Sequence, residues 1–237
     1  MRKVRVPDFG RKVSEARRRT RERAGEIQRR LGDSRFLDWF DILYAEAGGD
    51  PERVPWADQQ PHPVLVGWLE ENAPHGGRAL EVGCGIGDNA AALARAGYEV
   101  TAFDISPNAV EWARDRFPDV PGLEFVVADL FDPPRAWRDA FDFVHETYTL
   151  QSLPPGLRGR AFAPLADFLK PGGRMLVICR SRPDDEEPEG PPPWPLSARE
   201  LEGFRRAGLE CLSMEPVVVE AGRSIPHFVS VWEKPRS

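Results

Sequence analysis

The chain has 237 residues, 41% hydrophobic and 30% charged, with a formal net charge of −6. That length gives one α/β domain room for a well-buried core, and the composition is that of an ordinary soluble chain. No apolar stretch nears the roughly 18 residues of a membrane span and no apolar signal region opens the chain, which predicts a cytoplasmic protein without a membrane partner. Cys84, Cys179 and Cys211 are too few for a disulfide framework; His62, His75, His145 and His227 stand isolated, without metal-ligand spacing, so no metal is expected.

Residues 1–35 hold thirteen Lys/Arg against five Asp/Glu, a net of +8, which leaves −14 on the remainder. A polar helix is predicted from Val13 to Leu31. Its arginines (Arg17, Arg18, Arg19, Arg21, Arg23, Arg29 and Arg30) either touch RNA phosphates or lie solvated against the acidic body. No aromatic residue is interleaved with them, so the second reading is preferred and nucleic acid is not the expected partner. A second helix is predicted over 36–47, with Phe36, Phe40, Leu43 and Ala47 at helical spacing and a stop at Gly48-Gly49. A Pro-rich loop follows to Pro63, then a helix over 64–71.

Strands and helices then alternate: strand 79–83, helix 88–96, strand 98–103, helix 107–116, strand 123–127, strand 141–145, helix 156–168, strand 173–179. Such alternation implies a parallel sheet covered on both faces. Prolines between Ser181 and Pro195 exclude helix and central strand there. A helix over 197–207 begins at Ser197, with Glu200 completing a capping box. Strands 209–219 and 226–233 close the pattern. The organisation expected is an N-terminal helical extension, 1–63, serving as a lid, and one catalytic domain, 64–237.

The run Glu81-Val82-Gly83-Cys84-Gly85-Ile86-Gly87 lies between an apolar strand and an alanine-rich helix. Glycine tolerates positive φ and lets backbone press against a ligand, and the N–H groups at the helix start face the crevice. The next strand ends in Asp104, where an acid accepts hydrogen bonds from a ribose diol. Dinucleotide folds want G-x-G-x-x-G, but here the spacing is G-x-G-x-G and Asp88 stands at the third dinucleotide glycine. A carboxylate there, with Glu81 nearby, suits a nucleoside carrying an amine and no phosphate.

These residues resemble motif I of the class I S-adenosylmethionine-dependent methyltransferases. Val100–Ser106 resembles the second motif of that family, Phe125–Leu130 the third, Phe141–Glu146 the strand-four motif, and Leu169–Val177 the turn into strand five. The resemblance implies a single Rossmann-like, doubly wound, seven-stranded sheet, mostly parallel with its last strand antiparallel. It implies S-adenosyl-L-methionine as cofactor. Upstream, Trp39–Tyr44, Val54-Pro55-Trp56, Pro61-His62-Pro63 and Trp68-Leu69 are similar to the start of the thiopurine and thiol/halide methyltransferases, in which an N-terminal helix and a Pro-Trp segment fold over the cofactor.

Residue by residue, the resemblance implies cofactor contact at Gly83, Gly85 and Gly87, which otherwise serve the turn alone. Cys84 lies in that turn among the cofactor-binding residues, as a small filler or in a redox role. Asp104 takes the ribose. Asp129 either meets the adenine amino group, with Leu130 as backbone donor, or caps the loop beyond it. Ile105 packs on adenine or in the core. Glu81 either holds the turn or sits near the cofactor ammonium. Glu146 is a base, a ligand of that ammonium, or an ion-pair partner. Tyr148 closes over the methyl donor or packs; a phenol near pKa 10 is a poor base unless shifted. Trp56 is a lid over the sulfonium or an anchor for its own loop. Trp39 and Tyr44 pack the lid. Trp194 borders the acceptor pocket or anchors its loop.

The Asn/Asp-Pro-Pro-aromatic signature of amide and amine methylation is absent after strand four, which argues against nucleic-acid bases and protein amides. With no His-acid dyad legible, a small soft acceptor, a thiol above all, is the expected substrate. The rivals are RNA methylation through the basic segment and a non-catalytic S-adenosylmethionine-binding module.

Overall fold

In the computed structural model, seven strands from Arg78 onward and one formed by Arg2–Arg5 pair into a single eight-stranded sheet. The residues described are 2–5, 22–23, 25–27, 30–31, 36–72, 76–188, 190, 192–220 and 224–236. In chain order the elements are β1 (Arg2–Arg5), α1 (Asp38–Ala47), α2 (Pro63–Glu71), β2 (Arg78–Val82), α3 (Asp88–Arg95), β3 (Glu99–Asp104), α4 (Pro107–Arg116), β4 (Leu123–Val127), β5 (Phe141–Thr147), α5 (Thr149–Ser152), α6 (Pro155–Arg158), α7 (Phe162–Asp167), β6 (Leu169–Arg180), α8 (Ala198–Leu201), α9 (Gly203–Arg206), β7 (Glu210–Glu220) and β8 (Ser224–Glu233).

The seven-stranded sheet expected from the sequence is present, and β8 runs antiparallel to both of its neighbours. All other pairings are parallel. An eighth strand, β1, lies in the N-terminal extension, ahead of the helix predicted from Val13. It pairs with the outer edge of β7, where Val217, Val218 and Val219 would otherwise present open backbone groups, and Lys3 meets Glu220 at 3.2 Å. Of the helix predicted over 13–31, residues 22–23, 25–27 and 30–31 are helical; the rest lies outside the described residues, as does His75.

Strand alternation sorts the core into two layers. Leu80, Val82, Phe103, Val144, Met175 and Val177 point to one face and pack with Phe162, Leu165, Leu201 and Phe204. Ala79, Val100, Ala102, Phe143, Leu176 and Ile178 point to the other, against Leu65, Leu69, Ala90, Leu93 and Val110. Each fully buried large side chain contributes about 1.5–3 kcal/mol. A third cluster joins Phe36, Trp39, Leu43, Tyr44, Val54 and Ala57 to Ile86 of the glycine turn and Ala109 of α4. The segment from Phe36 to Ala57 therefore sits over the glycine turn and α4.

Two predicted helices are each broken in two. The stretch 156–168 splits into α6 and α7 because the chain tightens at Leu157–Arg160 and Arg158–Ala161, where N–H groups reach back three residues. There Arg158 turns inward, 1% exposed. The stretch 197–207 splits into α8 and α9 at Glu202; at Gly203, which opens α9, a Cβ would lie 2.4 Å from the Phe162 ring. The capping box at Ser197 and Glu200 forms as predicted. α4 matches its predicted bounds because its start is doubly marked: Ser106 accepts from Ala109 N, and Pro107 occupies the first turn.

Candidate active site

β2 has β3 on one side and β5 on the other, and the crevice opens beyond the carboxyl ends of these strands. The turn after β2 holds Gly83, Gly85 and Gly87 at φ 63, 52 and 91°. A Cβ on Gly83 would lie 2.4 Å from Thr149 Oγ1, and one on Gly87 would lie 2.8 Å from the Phe125 ring. At Gly85 it would meet the Tyr44 hydroxyl at 3.0 Å. The turn is thus closed by Thr149 and Phe125 on two sides and by Tyr44 of α1 on the third. Cys84 is buried, its N–H donating to Phe103 O at 2.8 Å, as a filler residue requires.

Asp104 ends β3 and grips this turn. Its carboxylate accepts from Gly85 N at 2.9 Å and Ser106 N at 3.0 Å. Burial raises its pKa, while those N–H groups pull the other way. Ile105 is half-buried beside it. Asp129 accepts from Phe131 N at 2.8 Å, so the loop-capping role is realised, next to buried Leu130. Asp88 does not lend its charge to the crevice: Arg116 binds it through two bonds of 2.7 and 2.8 Å.

The segment upstream of α2 is tied down at three points. Asp41 Oδ1 accepts from Ser106 Oγ at 2.6 Å and from the side chain of Asn108 at 2.9 Å, anchoring α1 to the start of α4. Trp56 Nε1 donates to Tyr44 Oη at 2.7 Å, and the Trp56 ring meets Trp39 edge-on at 5.3 Å. His62 N donates to Asn89 Oδ1 at 2.8 Å, fixing the loop to α3. Burial, and then the charge of Asp104, push the Tyr44 phenol well above its usual value, so it stays neutral. Trp194 anchors its own loop through Nε1 to Gly190 O at 2.7 Å and packs on Phe36 at 5.8 Å.

The histidines that stand isolated in the sequence do not stand isolated in space. His62 Nε2 and His227 Nε2 lie 2.9 and 2.8 Å from the Tyr148 hydroxyl. His227 Nδ1 faces Ile225 O at 2.9 Å, so it carries the proton and Nε2 accepts. His62 Nδ1 accepts from Val64 N, so its Nε2 donates. The chain therefore runs His62 to Tyr148 to His227 with every direction set by its ends. Burial holds His62 down at about 3 and His227 down at about 4, the latter helped by Arg180. Burial also raises the Tyr148 phenol. Tyr148 itself sits at φ 70°, a strained position for a non-glycine residue.

A His-acid dyad is present as well, contrary to the sequence reading. His145 Nδ1 lies 2.5 Å from Glu81 Oε2, and its Nε2 lies 2.8 Å from Thr147 Oγ1. Glu81 and His145 are 2% and 0% exposed. Register pairing of Glu81 with His145 on adjacent strands brings them together. On the opposite face, Glu146 Oε1 accepts from Leu150 N at 2.9 Å, while Oε2 is buried without a hydrogen-bond partner. Burial raises this carboxyl to about 7. Below the crevice, buried Arg158 ties Leu150 O, Leu153 O and Trp194 O to Glu200.

These residues suit a cationic nucleoside. Asp104 offers acceptor oxygens beside the turn, and the unpartnered Glu146 oxygen offers a place for an ammonium. Among the described residues there is no group of three His, Cys, Asp or Glu arranged for a metal, and no helix long and apolar enough to cross a membrane.

Comparison with known proteins agrees with this geometry. Residues 79–173 match a family model described as a methyltransferase domain. A probable thiol methyltransferase 2 of Arabidopsis thaliana is 32% identical over 154 residues, covering 63% of this chain and 65% of that protein. The match therefore spans slightly less than two thirds of that relative. A thiocyanate methyltransferase 1 of Brassica oleracea is 26% identical, over 66% of this chain and 71% of its own length. Among solved structures, one from work on converting a disulfide bond into a thioacetal group in echinomycin biosynthesis superposes with a TM-score of 0.70. It is 24% identical, covers 85% of this chain and 94% of its own, and supports the fold.

Proposed function

The chain belongs to the class I S-adenosylmethionine-dependent methyltransferases, and we propose that it methylates a small soft nucleophile, a thiol foremost. When bound, the cofactor supplies an electrophilic methyl group. The residues proposed to hold it are Gly83, Cys84, Gly85, Gly87, Asp104, Ile105, Asp129 and Leu130, with Trp56 in the lid above. Glu146 is the acid proposed for the methionine end; Glu81, expected there as well, is taken up by His145 at 2.5 Å. The lid is proposed to comprise the part of the 1–63 extension that packs over the glycine turn, from Phe36 to Ala57, since Arg2–Arg5 belong to the sheet; the catalytic domain is proposed to begin at residue 64.

The observation that carries this reading is the glycine turn of φ 63, 52 and 91° at the switch point, bound by Asp104 and roofed by Tyr44. Tyr148 is proposed to border the acceptor side. Its hydroxyl is committed to two neutral imidazoles, so it orients a substrate rather than deprotonating one. The site's main work is then positioning and exclusion of water.

A small acceptor is favoured over RNA by the fate of Arg23. Its guanidinium makes bonds of 3.0 and 2.7 Å to Glu46 of α1, so this charge is directed at the protein's own body. Free thiols at Cys84, Cys179 and Cys211 fit a cytoplasmic setting. The test is S-adenosylhomocysteine formation across thiols, phenols, amines and halides. Turnover with thiols supports the proposal. Turnover with RNA alone transfers it to the nucleic-acid rival, and binding without turnover of any acceptor transfers it to the binding-module rival.

A further inference from the structure

Two hydrogen-bonded chains end at adjacent residues of the crevice mouth, Thr147 and Tyr148. Both could receive a proton from an acceptor, and their chemistry separates them. The chain through Tyr148 ends on His227, which burial and Arg180 set against holding a proton, with a pKa of about 4. His62 at the other end already donates, so it has no room to accept through Nε2. The chain through Thr147 ends on a buried acid. His145 Nδ1–H points at Glu81 Oε2 at 2.5 Å, which leaves Nε2 to accept from the Thr147 hydroxyl at 2.8 Å. A carboxylate behind an imidazole fixes its tautomer and partners the imidazolium when it forms. Thr147 is the last residue of β5 and only half-buried, so its oxygen can meet a bound molecule while His145 cannot.

We propose that Thr147, His145 and Glu81 form a proton relay that lets this site methylate thiols that arrive protonated, weakly acidic alkanethiols included. This rests on the methyl-acceptor reading above and narrows its substrate class. In the step, the acceptor S–H proton passes to Thr147 Oγ1 as the Thr147 proton passes to His145 Nε2. The acceptor sulfur forms its bond to the methyl carbon as the S–CH3 bond of the cofactor breaks, that electron pair remaining on the cofactor sulfur. The imidazolium, paired with Glu81, then returns its proton to water through Thr147. The products are a thioether, S-adenosylhomocysteine and one proton. Thr147 is the catalytic residue here; His145 and Glu81 are positioning residues that act through it. The other titratable groups near His145 are Glu146 on its own strand and His62 at the start of α2.

The experiment measures kcat/KM at saturating cofactor and pH 7 for a series of thiols, from acidic aryl thiols to alkanethiols. The variants are His145→Gln, Thr147→Val and Thr147→Ser. With the relay intact, wild type and Thr147→Ser vary little across the series. Thr147→Val and His145→Gln lose about a hundredfold on alkanethiols, the lower range for general base catalysis, and little on aryl thiols already ionised. Raising the pH restores the alkanethiol rates of both variants. If either variant loses equally on all thiols, or on none, the relay is overturned. Should His145→Gln fail to fold, the two Thr147 variants decide alone. If wild type methylates no thiol at all, the acceptor reading falls and takes the relay with it.

Discussion

The proposed cofactor side of the crevice draws mostly on residues 81–130 in the order the chain runs, whereas the proposed acceptor side is gathered from across the whole fold. Gly85 and Asp104 meet over 19 positions, and Ser106 caps its own helix three residues on. Tyr148 meets His62 across 86 positions and His227 across 79. His145 and Glu81 are 64 apart. A nucleoside needs only a turn, a helix start and one acid, which a βαβ unit supplies locally. An acceptor pocket needs groups on several strands and a lid, which only the closed sheet brings together.

The largest expected break in that comparison is Gly85→Val. A β-branched residue resists φ of 52°, and its Cβ would press on the Tyr44 hydroxyl. Cofactor affinity should fall by about a thousandfold or more, roughly 4 kcal/mol, while the acceptor-side contacts and the fold persist. Calorimetric titration with S-adenosylmethionine, paired with circular dichroism, checks both halves of that statement. Normal binding would remove the turn from the site.

Glu146→Gln sharpens the contrast through pH. Unfolded, this carboxyl loses its proton near 4.5; folded, it keeps it to about 7. Between those values the folded state holds the extra proton, so wild-type stability falls as pH rises through the interval and levels above it. The amide removes that slope and should stabilise the cofactor-free protein by about 3 kcal/mol at pH 8. His62 and His227 supply the opposite limb. Their unfolded value is 6.5 and their folded values are about 3 and 4, so stability falls as pH drops from 6.5 toward 4. Denaturant melts of both proteins across pH 4 to 9 trace the two limbs. An unchanged slope in the variant would mean that Glu146 ionises normally.

These asymmetries explain what the sequence could disclose. α4 and β4 match their predicted bounds because Ser106, Pro107 and the alternation in Leu123–Val127 are local signals. The glycine turn and Asp104 were legible for the same reason. The histidine contacts were not, since nothing in the spacing of His62, His145 and His227 tells which strands will become neighbours. Asp88 misled because a carboxylate in the chain carries no mark of its partner, and Arg116 lies 28 positions away. That a glycine is needed at 203 follows from Phe162 on another helix, a packing fact with no local trace. The register that pairs Glu81 with His145 could have been guessed only after strand order was known.

Asp104→Ala should weaken cofactor binding by about 1.5–3 kcal/mol, roughly ten- to a hundredfold, through loss of a charge-assisted pair and of its hold on Gly85 N. Unchanged affinity would take Asp104 out of the site. Trp56→Phe is the mildest probe. It keeps the aromatic contact with Trp39 and deletes only the bond to Tyr44 Oη, a neutral hydrogen bond worth about 1 kcal/mol. Cofactor affinity should drop about fivefold with little change in melting temperature. A drop in melting temperature alone would make Trp56 an anchor and remove it from the lid.

The most direct measurement follows a labelled methyl group. The protein is incubated with S-adenosylmethionine carrying a deuterated methyl and with one alkanethiol, and the products are read by mass spectrometry. The account predicts a thioether bearing the intact deuterated methyl, formed one for one with S-adenosylhomocysteine. Cofactor bound without any labelled thioether from this or any other small thiol would contradict it.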